Sequence, residues 1–319
     1  MFDFLKKKSA TALPTWTFTK QGIIWRVMFL GGGDELKPGV KQKYIIGEHR
    51  TSAGESAERK ASFFLLDELS GAVIWDDFAL MDGGGKPVGE GWWIGLETTF
   101  DGFFYLHGYL DPTVPEHRGI YAVDAASKTI RWQMPGATYL CITEGKMLAY
   151  RDELAGGFAE RRYVLLDLKS GEVIESIGSQ TDEVNRLRDG AVSDAAQAGV
   201  ALPSHVEAGM PQFEQVKSIA AKYVNAAGVI GGFDFIASET YTVLGFHEQT
   251  DLEIQTLSGN RVKALDYKLK LIETKTGKVL FAETLASQMS GLLVDGFFTK
   301  GNTLYYVRDR ASLVALRLA

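Results

Sequence analysis

One cysteine in 319 residues, Cys141, rules out any disulfide within the chain. It stands in the apolar run at 139–142, where a free thiol is expected to pack as a small hydrophobe rather than act as a nucleophile. No window approaches the roughly 18 apolar residues of a membrane span, so no membrane partner is expected. The opening segment MFDFLKKKSATALPTW has no apolar core after its lysines. It does not read as a secretory signal, and a cytoplasmic location is the default expectation. A basic surplus is missing too, with 34 basic against 40 acidic side chains and a net charge of −6. The one basic run, Lys6-Lys7-Lys8, reads as a solvated tail, so nucleic acid is not an expected partner.

Signatures of catalysis and cofactor binding are equally scarce. Gly31-Gly32-Gly33-Asp34 and Asp82-Gly83-Gly84-Gly85-Lys86 are glycine-rich, but neither has P-loop spacing or a following helix, so both read as loops. There is no Ser-centred nucleophile elbow, no paired-Cys motif and no His-x-x-x-His spacing. No cofactor and no metal is therefore expected, and the sequence names no catalytic residue.

What the chain has is glycine (35 residues against 8 prolines) and aromatics (18 Phe, 12 Tyr, 6 Trp), a balance that suits many tight turns between short packed strands. It also has an internal repeat. Four segments align without gaps: FFLLDELSGAVIWDDF (63–78), GIYAVDAASKTIRWQM (119–134), RYVLLDLKSGEVIESI (162–177) and LKLIETKTGKVLFAET (269–284). In each, an apolar strand ends in an acid: Asp67, Asp124, Asp167 or Glu273. The acid is placed to accept hydrogen bonds from turn N–H groups. Gly71, Gly171 and Gly277 supply the positive φ of a tight hairpin; the second copy has Ser127-Lys128 there, and a different turn is expected for it. Eight residues past the acid stand Trp75, Trp132 and Phe281, but Glu175 in the third copy.

These segments resemble the quinoprotein-like propeller repeat, with its Asp-x-x-x-Gly-x-x-x-Trp pattern. Asp67, Gly71 and Trp75 match it fully; Asp124 and Trp132 match without the Gly, and Asp167 and Gly171 without the Trp. The resemblance implies a fold and hardly any chemistry. The whole chain also looks like members of an uncharacterised bacterial family, which adds no activity. Taking each copy as the third and fourth strands (c and d) of a four-stranded blade, two further strand-like runs precede each one. Blades are expected at about 22–78, 91–134, 137–177 and 228–284. The segment 290–319 holds only three strands, and residues 14–18 are expected to pair beside 312–318 and complete a fifth blade, with Trp16 in the part of Trp75. The expectation is a single all-β domain: a five-bladed β-propeller closed by its two ends, with a helical insertion at 180–225 that starts at a Thr181 or Asp182 cap.

In such a meander the b–c and d–a connections share one face. The b–c connections read as long loops (50–60, 111–118, 153–161 and 248–262), so that face is expected to carry any function. The b strands end there at His49, His107, Arg151-Asp152, His247 and Arg308, candidates for ligand binding around a channel mouth. Pro115-Glu116-His117 reads as loop punctuation and His205 as an exposed residue of the insertion. The leading expectation is a non-catalytic scaffold binding a protein or small molecule on the loop-rich face. The alternative is a carbohydrate-active hydrolase or lyase using His107, His247 and carboxylates at the channel mouth.

Overall fold

The computed structural model describes residues 13–31, 43–51, 59–111, 113–256 and 258–318. The lysine run at 6–8, residues 32–34 of the first glycine loop and most of the 50–60 connection lie outside the described residues. The chain is all-β and forms five antiparallel sheets distributed over two compact units, Lys20–Gly199 and Met1–Thr19 with Val200–Ala319.

The N-terminal strand β1 (Pro14–Thr19) belongs to the second of these units. The unit Lys20–Gly199 holds three four-stranded meanders. The first is β2 (Ile23–Gly31), β3 (Lys43–Thr51), β4 (Lys60–Asp67) and β5 (Val73–Phe78). The second is β6 (Ile94–Phe100), β7 (Phe103–Asp111), β8 (Val114–Asp124) and β9 (Thr129–Met134). The third is β10 (Ala137–Thr143), β11 (Lys146–Ala155), β12 (Phe158–Asp167) and β13 (Val173–Gly178). Strand β7 shows why the middle sheet reads as a continuous apolar run. Phe104 and Leu106 pack with Phe63, Leu65 and Leu96 towards the first sheet, while Phe103 and Tyr105 pack with Trp132, Met147 and Leu166 towards the third. Both faces are buried, so the polar alternation of a half-exposed strand is lost.

The segment read as a helical insertion is more varied. Helices α1 (Thr181–Asp189) and α2 (Asp194–Gln197) close this unit, with Val184 and Leu187 of α1 packed on Leu148, Leu165 and Ile177. The residue before α1 is Gln180, which makes no side-chain cap, so the cap expected at Thr181 or Asp182 is not used. Then come two short strands, β14 (Val200–Ala201) and β15 (Ser204–Val206), and helix α3 (Phe213–Ala220).

Strands β16 (Val229–Ala237), β17 (Tyr241–Gln255), β18 (Arg261–Glu273) and β19 (Val279–Met289) make the fourth meander, with β15 added beside β16. Strands β20 (Phe297–Lys300), β21 (Thr303–Arg308) and β22 (Ser312–Arg317) make the fifth, with β14 beside β20 at one edge and β1 beside β22 at the other. The pairing expected of the two ends is present: Trp16 stands opposite Ala315 and Phe18 opposite Leu313. Tyr267, Leu269, Phe297, Leu304, Tyr306 and Val314 form the core of this unit. No helix among the described residues is long and apolar enough to cross a membrane.

Three of the expected long loops are hairpin ribbons instead. Strands β7 and β8 are joined through residues 112–113, β11 and β12 through 156–157, and β17 and β18 through 256–260. The polar residues misled the reading because both faces of a projecting ribbon meet water. Asp152 sits opposite Arg161 and Glu253 opposite Lys263, so cross-strand charge pairs replace apolar alternation.

Three copies of the repeat hold their turn as expected, and in the fourth Glu273 accepts the Thr276 hydroxyl instead of a turn N–H. Asp67 Oδ1 accepts the Ser70 N–H at 2.8 Å, Asp124 that of Ser127 at 2.8 Å and Asp167 that of Ser170 at 2.8 Å. The second copy keeps the same turn, because Lys128 takes φ +58° where its counterpart Gly171 has +72°. The tryptophans then join sheets. Trp75 Nε1 donates to the Ala125 carbonyl and Trp132 Nε1 to the Leu168 carbonyl, each at 2.9 Å, and each acceptor directly follows the acid of the next sheet. A Cβ on Gly171 would lie 2.5 Å from the Trp132 ring, so only glycine lets the indole seat on that turn. Tyr105 Oη donates to the same Leu168 carbonyl at 2.9 Å.

This shared acceptor makes a double-mutant cycle informative. Each of Trp132→Phe and Tyr105→Phe leaves one donor on Leu168 O. The double variant leaves none, and is expected to be less stable than the sum of the single effects by about 1–3 kcal/mol in urea unfolding. Strict additivity would show that the carbonyl does not couple the two rings.

Candidate functional site

The six positions picked out from the b strands fall into separate environments. On β3, His49 is buried, and its Nε2–H donates to the Gln21 carbonyl at 2.7 Å with Gly22 packed beneath the ring. On β17, His247 Nε2 accepts the Leu293 N–H at 2.8 Å, and its ring lies 4.4 Å from that of Tyr267. Both histidines therefore serve the backbone. Arg151 is exposed on the β11–β12 ribbon, and Asp152 stands 3.7 Å from Arg118 and 3.9 Å from Arg161, solvated pairs of little energetic weight. Arg308 lies 3.6 Å from Glu283, which also accepts the Tyr306 hydroxyl. No two of the six share a site within their own unit.

His107 is the exception, and its partners went unread in the sequence. Three adjacent strands of the second sheet contribute one residue each: Glu97 from β6, His107 from β7 and His117 from β8. Gly95 stands opposite His107, and strand alternation puts Glu97 on that same face, at the register break between Leu96 and Thr98. Pro115-Glu116-His117 is strand and not loop; His117 follows Glu116 into register opposite Tyr109, on the same face. The two imidazoles stack with centroids 3.5 Å apart and planes within 8°. Tyr109 stands edge-on to both, and Trp93 edge-on to Tyr109.

Glu97 Oε2 lies 2.8 Å from His107 Nδ1 and 2.9 Å from His117 Nδ1. Among the described residues His117 makes a hydrogen bond to it, and His107 an equally close contact that lacks hydrogen-bond geometry. His107 is 4% exposed, yet neither ring nitrogen has a hydrogen-bond partner among the described residues. Burial alone would raise the Glu97 carboxyl, but the two imidazoles outweigh it and pull the pKa down to about 2. Burial pushes His107 down, against the pull of Glu97. Behind His107, a Cβ on Gly95 would sit 2.7 Å from Nε2 and 3.2 Å from Glu48 Oε2, so the ring and that carboxylate converge over a glycine.

Glu48 is itself buried. It accepts Arg50 Nε at 2.6 Å and the Leu96 N–H at 2.7 Å. The other Arg50 nitrogens donate to the Trp92 and Ile94 carbonyls. The guanidinium so fixed lies 5.5 Å from the ring of Trp25 and 4.9 Å from that of Trp92, and Arg59 lies 5.8 Å from Trp92. Trp25 is 61% exposed. Elsewhere in the unit, Leu154 and Phe158 are 83% and 80% exposed where the β11–β12 ribbon turns.

In the other unit, His205 Nδ1 lies 2.7 Å from Asp234 Oδ1, and Asp234 Oδ2 accepts the buried Tyr267 hydroxyl at 2.8 Å. A pocket of about 370 Å³ is lined by Tyr223, Phe246, Glu248, Lys268, Lys270 and Glu283 among others. Its two lysines are engaged, with Glu248 and with the Tyr223 carbonyl. Cys141 is half-buried and its thiol pKa is raised by burial, as suits a packing residue.

Residues 41–132 are similar to a domain of unknown function, DUF4905. No curated protein matches the sequence. Solved structures similar to the chain include a member of the DUF4221 family from Bacteroides vulgatus (8% identity, 96% of this chain and 98% of that one, TM-score 0.33). Others are a putative glycoside hydrolase from Parabacteroides distasonis (11% identity, 98% and 94%, TM-score 0.32) and a mannose phosphorylase from Leishmania mexicana (10%, 93% and 89%, TM-score 0.24). At these TM-scores the likeness assigns no activity to this chain.

The buried histidines set a pH dependence. Burial lowers His49, with Lys20 acting the same way and Gln21, Asp76 and Asp77 opposing. Burial also lowers His247, with His205 acting the same way and Asp234 opposing. A folded pKa below the unfolded value of about 6.5 gives stability that is present above that pH and lost as pH falls through the folded value. The melting temperature is therefore expected to fall below about pH 6.5. His247→Gln, whose amide oxygen still accepts the Leu293 N–H, should flatten that fall. Parallel pH profiles for the two proteins would contradict this account.

Proposed function

We propose that the five sheets are the blades of one closed β-propeller that serves as a non-catalytic scaffold for a protein partner. The meander order common to all five sheets supports one ring. The pairing of β1 with β22 supports it too.

The observation that carries the binding role is the Trp25–Arg50–Trp92–Arg59 stack. An exposed indole resting on a guanidinium already fixed by three acceptors is held rigid before any partner arrives, so little side-chain entropy is lost on contact. Trp and Arg are also the residue types that dominate binding energy in protein interfaces. Leu154 and Phe158 on the projecting ribbon add apolar surface of the kind a scaffold presents. The hydrolase or lyase reading called on His107, His247 and carboxylates at the channel mouth, and His247 is committed to the Leu293 N–H.

A photocrosslinking residue in place of Phe158 tests this reading. In cells making the chain at its native level, one discrete crosslinked protein is expected, and Trp25→Ser should remove it. Stability should change by no more than about 0.5 kcal/mol, because Trp25 is exposed. No crosslinked protein, or a glycan-induced rise in melting temperature that Trp25→Ser abolishes, would replace the protein partner with a small ligand.

A further inference from the structure

We propose that Glu97, His107 and His117 form a binding site for one divalent first-row transition metal ion such as zinc. This inference is independent of the scaffold reading, since it rests on different residues.

The donor set points to that class. Two imidazole nitrogens and one carboxylate oxygen suit zinc and its neighbours, whereas calcium and magnesium take oxygen ligands. The three ligand atoms lie within 4.8 Å of one another. Around a tetrahedral zinc such atoms stand about 3.3 Å apart. Seating an ion therefore asks Glu97 Oε2 to move from 2.8 and 2.9 Å to slightly longer separations from the two Nδ1 atoms, and the two stacked rings to tilt apart until both in-plane Nδ1 lone pairs meet at one point.

The second observation is His107 itself. A buried imidazole without a hydrogen bond at either nitrogen is a costly arrangement. Its contact with Glu97 is close but misdirected, because one oxygen is asked to satisfy two stacked rings. A cation among the three would use the Nδ1 lone pairs of both rings and leave Nε2–H of His107 on the side of Glu48. Ligating histidines usually turn their second nitrogen to a carboxylate or carbonyl in this way. Gly95 permits that approach. His117 is partly exposed, which gives an ion its way in, and three protein ligands leave a coordination position open.

The test uses the full chain without a histidine tag, treated with EDTA, dialysed and titrated with Co²⁺ and then Zn²⁺. One equivalent of Co²⁺ is expected to give visible d–d absorption that Zn²⁺ abolishes by displacement and excess Ca²⁺ leaves unchanged. The melting temperature should rise with Zn²⁺ concentration. His117→Ala, at a partly exposed position that folding tolerates, and Glu97→Gln should show no uptake in the same range. Gly95→Ala, which pushes His107 aside, should bind about 10- to 100-fold more weakly. His205→Ala, at the other partly exposed histidine, should bind as the parent does. The proposal is overturned if Co²⁺ gives neither a spectrum nor a melting shift, if His117→Ala binds unchanged, or if His205→Ala removes the uptake.

Discussion

The bond from a tryptophan indole to the carbonyl that follows an acidic turn is the interaction on which the rest of the unit Lys20–Gly199 depends. A sheet of four short strands buries little by itself, and its stability comes from facing another sheet. Trp75 and Trp132 fix that facing. The indole must find a carbonyl aimed out of the neighbouring turn, and the turn is held in shape by the aspartate beside it. The acid and the left-handed residue of one sheet thus serve the tryptophan of the sheet before it. The Asp-x-x-x-Gly-x-x-x-Trp pattern reads as one local motif, but its parts act across an interface. The third copy has Glu175 where the indole would stand, and its sheet is the last of its unit.

That division of labour explains why the all-β sheets were legible. The turn needs a carboxylate, a residue with positive φ and a large ring at fixed offsets; the first copy shows all three in sequence, the second lacks the glycine and the third the ring. Lys128 shows the limit of reading by residue type. The turn geometry is imposed by its hydrogen bonds and by Trp75 above it, so a lysine is held at positive φ where a different turn was expected. The projecting ribbons were misread for a related reason. Apolar alternation reports one buried face, and a ribbon wet on both faces has none to report.

The Glu97–His107–His117 cluster escaped because it has no local spacing to find. Its members stand ten residues apart, one strand and one turn each, so they meet only through the register of β6, β7 and β8. The signal available was His107 alone, at the end of a b strand. Its equivalence to His49 and His247 was topological and not chemical: those two rings spend a nitrogen on Gln21 and Leu293. A shared strand order gives residues corresponding places along their strands, while the partner that decides a side chain's role comes from a loop or a neighbouring strand, which that order does not control.

One buried carboxylate links the two candidate surfaces of this unit. Glu48 takes Arg50 Nε and the Leu96 N–H, and its Oε2 shares the space over Gly95 with His107 Nε2. A buried ion pair gains little net stability, since desolvation offsets most of the attraction, but losing one partner leaves an uncompensated charge. Arg50 is thus kept in a single orientation, and the indoles of Trp25 and Trp92 are stacked on a fixed plane. The same carboxylate stands on the far side of His107 from Glu97, so the imidazole lies between two negative groups. Glu48 thus acts on His107 through its charge and on Arg50, beneath Trp25, through a direct ion pair. The exposed stack and the buried cluster are in this sense one electrostatic assembly, built on a pair of neighbouring sheets and joined by a residue that neither surface exposes.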